Sequence, residues 1–341
     1  MAEYTYTFNQ RRTFGVEIEC VINDGVSRSE LRQLLVDQGL EVSDPNTYGH
    51  SGSENTQWVM KWDGSITGPN GTALRGNDQN LEIVSPVLSG MDGVEQIRKA
   101  MRVLRANCTV NRSCGLHVHH GVTDLLGWQM ATLYVLYARN QKVIDMMLAP
   151  SRRSDLPLCP VCHGHLGPHY ARPLEDTVPM QTRVDGAAFA RRQGDHDGRY
   201  RVVNFNSYVR RGTIEFRQHH ATLDGSKVVA WVVFTQACIE FAINSKGRRI
   251  LDYGTLSSFT PINGIGWRVG LPRTGDSFEA KQYYRLRDAW NLFTQRAVLE
   301  ANSLTAVEQI PSVGTAVRRA RPVPARQIME EEIDDIGEGV T

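Results

Sequence analysis

The stretch FGVEIEC, Phe14 to Cys20, alternates without a break. Phe14, Val16, Ile18 and Cys20 are apolar, and Gly15, Glu17 and Glu19 lie between them. A period of two belongs to a β-strand with one face in a core. The other face then carries two carboxylates roughly 7 Å apart. Glu is depleted in strands. Alone, such a strand reads as a solvated face, because charged side chains are mostly exposed.

Three more segments change that reading. In CGLHVHHGV (Cys114 to Val122), His117 and His119 repeat the spacing, with Leu116 and Val118 opposite. In TIEFRQH, from Thr213, Glu215 and Arg217 face away from Ile214 and Phe216. In NLEIVSP, Asn80 to Pro86, Glu82 sits between Leu81 and Ile83. If these strands share one sheet, its concave face gathers four carboxylates, two imidazoles and a guanidinium. A solvated face would mix in Lys, Thr and Ser. Carboxylates gathered without cations repel one another. Divalent cations remove that repulsion, and an oxygen-rich set with a His suits Mg²⁺ or Mn²⁺ better than structural Zn²⁺. The chain has no GxxxxGK[ST] and no GxGxxG. Phosphates of a bound nucleotide would therefore rest on metals, with Arg217 balancing developing charge.

The remaining pattern frames these strands. SRSE (Ser27 to Glu30) has capping-box spacing and predicts a helix stopped near Gly39. QWVMKWDGS reads as a strand turning at Asp63-Gly64. Residues 64–79 form a Gly- and Asn-rich loop. Helical spacing follows over Val94 to Arg105, over Leu125 to Leu148 with Thr123 or Asp124 as cap, over Lys227 to Asn244 and over 279–303. RYRVVNFNSY and TIEFRQH read as two strands around an Arg210-Arg211-Gly212 turn. Strands and helices do not alternate in βαβ units. The expected class is α+β: one curved, largely antiparallel sheet with helices on its convex face. Residues 1–303 read as one catalytic domain, with 150–198 as an irregular insert. Residues 304–341 carry blocks of like charge and proline, the composition of a disordered tail.

The 341 residues are 41% hydrophobic and 22% charged with net charge +1, so no global field favours nucleic acid or an anionic membrane. No apolar run has membrane-spanning length. The first residues lack the apolar stretch of a signal peptide, and the six cysteines are sparse. Together these predict a reducing, cytoplasmic setting without a disulfide framework.

FGVEIE, WDGS, NLEIVSP, CGLHVHH and TIEFRQHHATLD, in that order, resemble the amidoligase family. That family belongs to the carboxylate–amine ligases related to glutamine synthetase and γ-glutamylcysteine ligase. The resemblance spans roughly Thr13 to Asp224. It implies a sheet like that of the glutamine synthetase catalytic domain, ATP and Mg²⁺ (or Mn²⁺) as requirements, and an amide or isopeptide bond made through an acyl phosphate. The substrates would be a small-molecule or peptide carboxylate and an amine. It places Glu17, Glu19, Glu82, His117 and Glu215 at the metals, and Arg217 at the phosphate, acting with Glu215 in catalysis. His119 falls at the substrate or behind the ligands. Asp63 and Ser65, in a DGS turn, fall near substrate or form a plain turn.

Other signals stay open. Cys159, Cys162, His165 and His169 in CPVCHGHLGPH have zinc-ligand spacing. A reduced loop without metal and a redox pair fit the same residues. His219 either faces the acidic residues or packs. The same Glu and His set would also serve a metal-dependent hydrolase, or a non-catalytic relative that binds nucleotide or another ligand. No residue selects the acid, the amine or an oligomeric state.

Overall fold

The computed structural model describes residues 4–45, 56–68, 72, 74, 79–149, 152, 201–245, 269–289 and 291–292. By contacts the chain divides into two units, Met1–Leu299 and Glu300–Thr341, and the second lies outside the described residues. So do the Cys159–His169 cluster and, apart from Arg152, the 150–198 segment.

The first unit is built on one eight-stranded sheet. Its strands are β1 (Phe14–Ile22), β2 (Val42–Ser43), β3 (Trp58–Lys61), β4 (Asn80–Val84), β5 (Cys108–Thr109), β6 (Gly115–Gly121), β7 (Val203–Asn204) and β8 (Thr213–His220). The order is β2-β3-β4-β1-β6-β8-β7, with β5 against β1. The sheet is mixed and does not close. β2 and β3 are parallel, and the other pairs are antiparallel. With its helices this makes an α+β fold.

Register decides what the sheet presents. Residues directly opposite on neighbouring strands project to the same face. Glu19 pairs with Glu82, Glu17 with His117, His119 with Glu215, Glu215 with Asn204, and Glu82 with Lys61. The chemistry-bearing side chains therefore form one row from β3 to β7. The alternate residues Phe14, Val16, Ile18, Leu81, Ile83, Leu116, Val118, Ile214 and Phe216 enter the core. Each such buried side chain contributes about 1.5–3 kcal/mol, an amount that fixes the register, since a one-residue slip would turn the carboxylates into the apolar core instead.

Helices α1 (Arg28–Asp37), α2 (Gly90–Asn107), α3 (Gly127–Asp145) and α5 (Gly225–Asn244) supply apolar side chains to that same core. The α1 start is the expected capping box of Ser27 and Glu30, and Gly39 follows its end at φ 77°. Asp224 caps α5 by accepting from Ser226 N and Lys227 N. Among the described residues α5 alone is long and apolar enough to cross a membrane, by length and composition. Its side chains are buried nearly all round, which accounts for that composition. A further helix, α6, covers 278–289.

Two local expectations are corrected. Of the expected strand RYRVVNFNSY, Val203–Asn204 does pair antiparallel with β8, but the rest is not a strand and the connection is not a simple Arg210-Arg211-Gly212 turn. After the two residues of β7 the chain turns into α4 (Asn206–Arg211). The Asn204 side chain accepts from Asn206 N, and Gly212 at φ 67° ends the helix with its N–H on Tyr208 O. The cap of α3 is neither Thr123 nor Asp124. Leu126 holds that position, with its N–H covered by the Gln129 side chain at 2.7 Å. Asp124 is engaged elsewhere, by the buried Arg12, which also pairs with Glu240 on α5 at 2.5 Å. That arginine binds the segment before β1 to the helical layer.

Candidate active site

Glu17, Glu19, Glu82, His117 and Glu215 come together on the face away from the core. Potential ligand atoms of Glu17, His117 and Glu215 lie within 4.8 Å of one another, as do those of Glu19, Glu82 and His117. His117 is common to both groups. Its Nδ1 is 3.2 Å from Glu17 and 3.5 Å from Glu215, and its Nε2 is 3.9 Å from Glu19. Glu19 also accepts from Gly115 N at 2.6 Å. His119 sits one pleat further along, with Nε2 3.2 Å from Glu17 and Nδ1 3.1 Å from Thr213 Oγ1.

This crowding shifts protons. Burial opposes ionisation of Glu17, but His119 and His117 outweigh it and hold its carboxyl well below the usual carboxylate range. Burial also opposes ionisation of Glu215, and Arg217 and His119 bring that carboxyl below its ordinary value. Glu82 goes the other way: burial, then Glu17 and Glu19, push it well above the usual range against the pull of Lys61. Burial disfavours the imidazolium of His119, yet Glu17 and Glu215 raise it. The face is an anion cluster held together by imidazoles and by a proton favoured at Glu82. Its donors are carboxylate oxygens and one imidazole, the set that suits a hard divalent cation.

Cations flank the row at both ends. Arg217 donates to Glu215 from the next position on the same strand face, and Asn204 holds the other Glu215 oxygen at 2.7 Å. Arg211, at the end of α4, reaches Glu17 at 3.4 Å. At the opposite end the buried Lys61 stands across from Glu82. Beside Glu17 and His119 a cleft of about 730 Å³ opens between the β4 exit (Val84 to Val87) and the α4–β8 turn, with Arg210 and Arg211 in its wall.

The family model described as "Putative amidoligase enzyme" matches residues 10–239, well over half of the chain. The match runs from before β1 into α5 and so includes every residue of the acidic row. The chain belongs to the amidoligase family. No curated protein matches it.

The amidoligase match leaves the remaining candidate residues to geometry. Asp63 closes a turn by accepting from Ser65 N at 2.7 Å, and Asn80 clasps the Asp63 backbone from both sides. His219 lies against His220 and Trp231, with ring centroids 4.3 and 4.8 Å away, and burial lowers its pKa to about 4. It packs among aromatic rings and is not among the residues of either acidic cluster. Three neighbours of the row escaped the sequence reading: Lys61, Asn204 and Arg152. Lys61 was legible in principle, because WVMK continues the alternation that puts Trp58 and Met60 on the opposite sheet face. Asn204 and Arg152 carry no local signal, since long connections bring them in.

Proposed function

We propose that this amidoligase-family chain is an ATP-dependent carboxylate–amine ligase working on the acidic sheet face. The observation that carries the reading is the meeting of Glu17, Glu19, Glu82, Glu215 and His117 in two adjoining clusters bordered by arginines. Glu17, Glu215 and His117 would hold one Mg²⁺ or Mn²⁺, and Glu19 and Glu82 a second. Bound there, the cations would neutralise triphosphate oxygens and polarise the γ-phosphoryl group.

The chain's own groups supply the rest. A carboxylate is a poor electrophile because its leaving group would be oxide. Transfer of the γ-phosphoryl group to one carboxylate oxygen turns that oxygen into phosphate, which leaves when an amine attacks the acyl carbon. ATP, acid and amine thus give ADP, phosphate and amide. Arg217 would place its planar fork on the transferring phosphoryl oxygens, oriented by its contact with Glu215. The cleft beside Glu17 has the basic wall a triphosphate requires, and Arg211 already spans from that wall to the cluster. Apolar Val84, Pro86 and Val87 line its other side.

The reading is tested by ADP production from ATP and Mg²⁺ over a matrix of acids and amines, with products followed by mass. Glu215→Gln should abolish turnover while leaving the fold intact. Turnover of an ester or amide without ATP would favour hydrolysis on the same residues.

A further inference from the structure

β8 carries one residue more than its pairing with β6 requires. Val118 pairs with Phe216 and Leu116 with His219, so Arg217 and Gln218 together stand opposite His117. That is a β-bulge, a feature that re-aims side chains and bends a strand locally. On unbroken alternation Glu215, Arg217 and His219 would share one face. Past the bulge they do not: His219 is buried on the core side against Trp231 of α5. Arg217 is thus the last residue before the alternation shifts. Among the described residues its side chain hydrogen-bonds only to Glu215, and its buried Nε has no partner. Glu215 orients the tip of that side chain. The stem is aimed by the backbone, whose N–H donates to Val202 O at 2.9 Å.

The second residue of the bulge is anchored on the opposite side of the sheet. Gln218 is 1% exposed. Its Oε1 accepts from the Tyr137 hydroxyl at 2.9 Å, and its Nε2 donates to Asp145. Tyr137 and Asp145 both belong to α3 and are fully buried. The Tyr137 ring also packs on Phe216, the residue before Arg217, with centroids 5.7 Å apart. A buried amide that loses its partners meets its whole desolvation cost, so this network resists displacement. A one-residue slip of β8 that erased the bulge would take Gln218 off both partners. No step of the chemistry proposed above uses these three residues. We infer that Gln218, held by Tyr137 and Asp145, is a positioning residue for Arg217: it locks the bulge, and the bulge aims the guanidinium at Glu215 and the acidic row. This inference rests on the ligase reading, in which Arg217 acts on the transferring phosphoryl group.

The test uses the full chain with the acid and amine that support ADP release. Gln218→Met keeps the side-chain length and removes both hydrogen bonds. Tyr137→Phe removes one and leaves the contact with Asp145. The turnover number should fall about tenfold to a hundredfold in Gln218→Met and less in Tyr137→Phe, because a small misplacement of a reacting group is enough for such a loss. Affinities for ATP and Mn²⁺ should stay within about twofold of the parent. The deciding readout is a double-mutant cycle. In an Arg217→Lys background Gln218→Met should cost little further turnover, because the group it positions is already replaced. In an Arg211→Lys background it should cost its full amount. A merely structural Gln218 would lower the melting temperature and multiply its effect with Arg217→Lys as with Arg211→Lys. That result overturns the inference, as does unchanged turnover in the single variants. If Gln218→Met does not fold, Tyr137→Phe carries the same cycle. If the parent releases no ADP with any acid and amine, the ligase reading falls and this inference with it. If the parent turns over and the cycle is additive, only this inference falls.

Discussion

His117 Nδ1 lies 3.2 Å from Glu17 Oε2, its cross-strand partner on β1. The same ring turns Nε2 toward Glu19, 3.9 Å away. A neutral imidazole has one lone pair and one N–H, so it can serve as a ligand to one cluster only. On the ligase reading proposed above, that cluster would be the Glu17–Glu215 group. His117→Ala should therefore lose one of two bound Mn²⁺ ions and keep the other. Counting Mn²⁺ at saturation checks this, and two ions retained at unchanged affinity would remove His117 from the ligand set.

Glu82 should contribute a pH dependence of its own to the stability of the metal-free protein. Its carboxyl is raised above the ordinary 4.5 by burial and by Glu17 and Glu19. A raised folded-state pKa contributes stability that is complete below the unfolded value and lost as pH rises through the folded one. Metal-free protein should lose that contribution above pH 4.5, and Glu82→Gln should flatten the loss. Glu17 and Glu215 have the opposite sign: their lowered pKa values contribute stability above the ordinary carboxylate range, lost as pH falls through their folded values. A cation held at Glu82, as proposed, would displace that proton, so Mn²⁺ binding should release protons and tighten as pH rises. Calorimetry in buffers of different ionisation enthalpy measures that release.

Arg217→Lys should slow the chemical step more than it weakens ATP binding. The planar fork gives two donors to the charge spread over a transferring phosphoryl group, and an ammonium cannot match that geometry. The loss of one such contact costs about 10²–10³ in kcat, or roughly 3–4 kcal/mol. An unchanged kcat would reduce Arg217 to a partner of Glu215.

Arg12 offers a test of the fold apart from the chemistry. Its side chain is 5% exposed and pairs with Glu240 at 2.5 Å, while Asp124, more exposed, takes the other arm. Removing one member of a buried pair leaves the other uncompensated and costs about 3–5 kcal/mol. Arg12→Ala should lower the denaturation midpoint accordingly, and Asp124→Asn should do much less. Equal effects would show that burial of the Glu240 pair is not what the segment before β1 contributes.

Much of this arrangement was legible in the sequence for one reason. Strand alternation is exact, so FGVEIEC, NLEIV, CGLHVHH and TIEFR each declared an apolar face and a ligand-type face. Pairing them antiparallel placed Glu17, Glu19, Glu82, His117 and Glu215 together. The α1 capping box and the Gly39 stop were readable because they are local. The α4 turn was not: VVNFNSY has strand composition, and a helix appears only because the Asn204 side chain takes the Asn206 N–H and Gly212 can adopt positive φ. Asp124 looked like a cap until Arg12 claimed it from 112 residues away in sequence. Arg152 was invisible for the same reason, since only the fold brings it to Gly115 and His117.

The most direct measurement is the fate of acid oxygen. With a turned-over acid labelled with ¹⁸O in its carboxylate, the released phosphate is analysed by mass spectrometry. An acyl phosphate transfers one labelled oxygen to phosphate for each amide formed, with one ADP. Unlabelled phosphate, or amide formation and cleavage that proceed without ATP, would contradict the account.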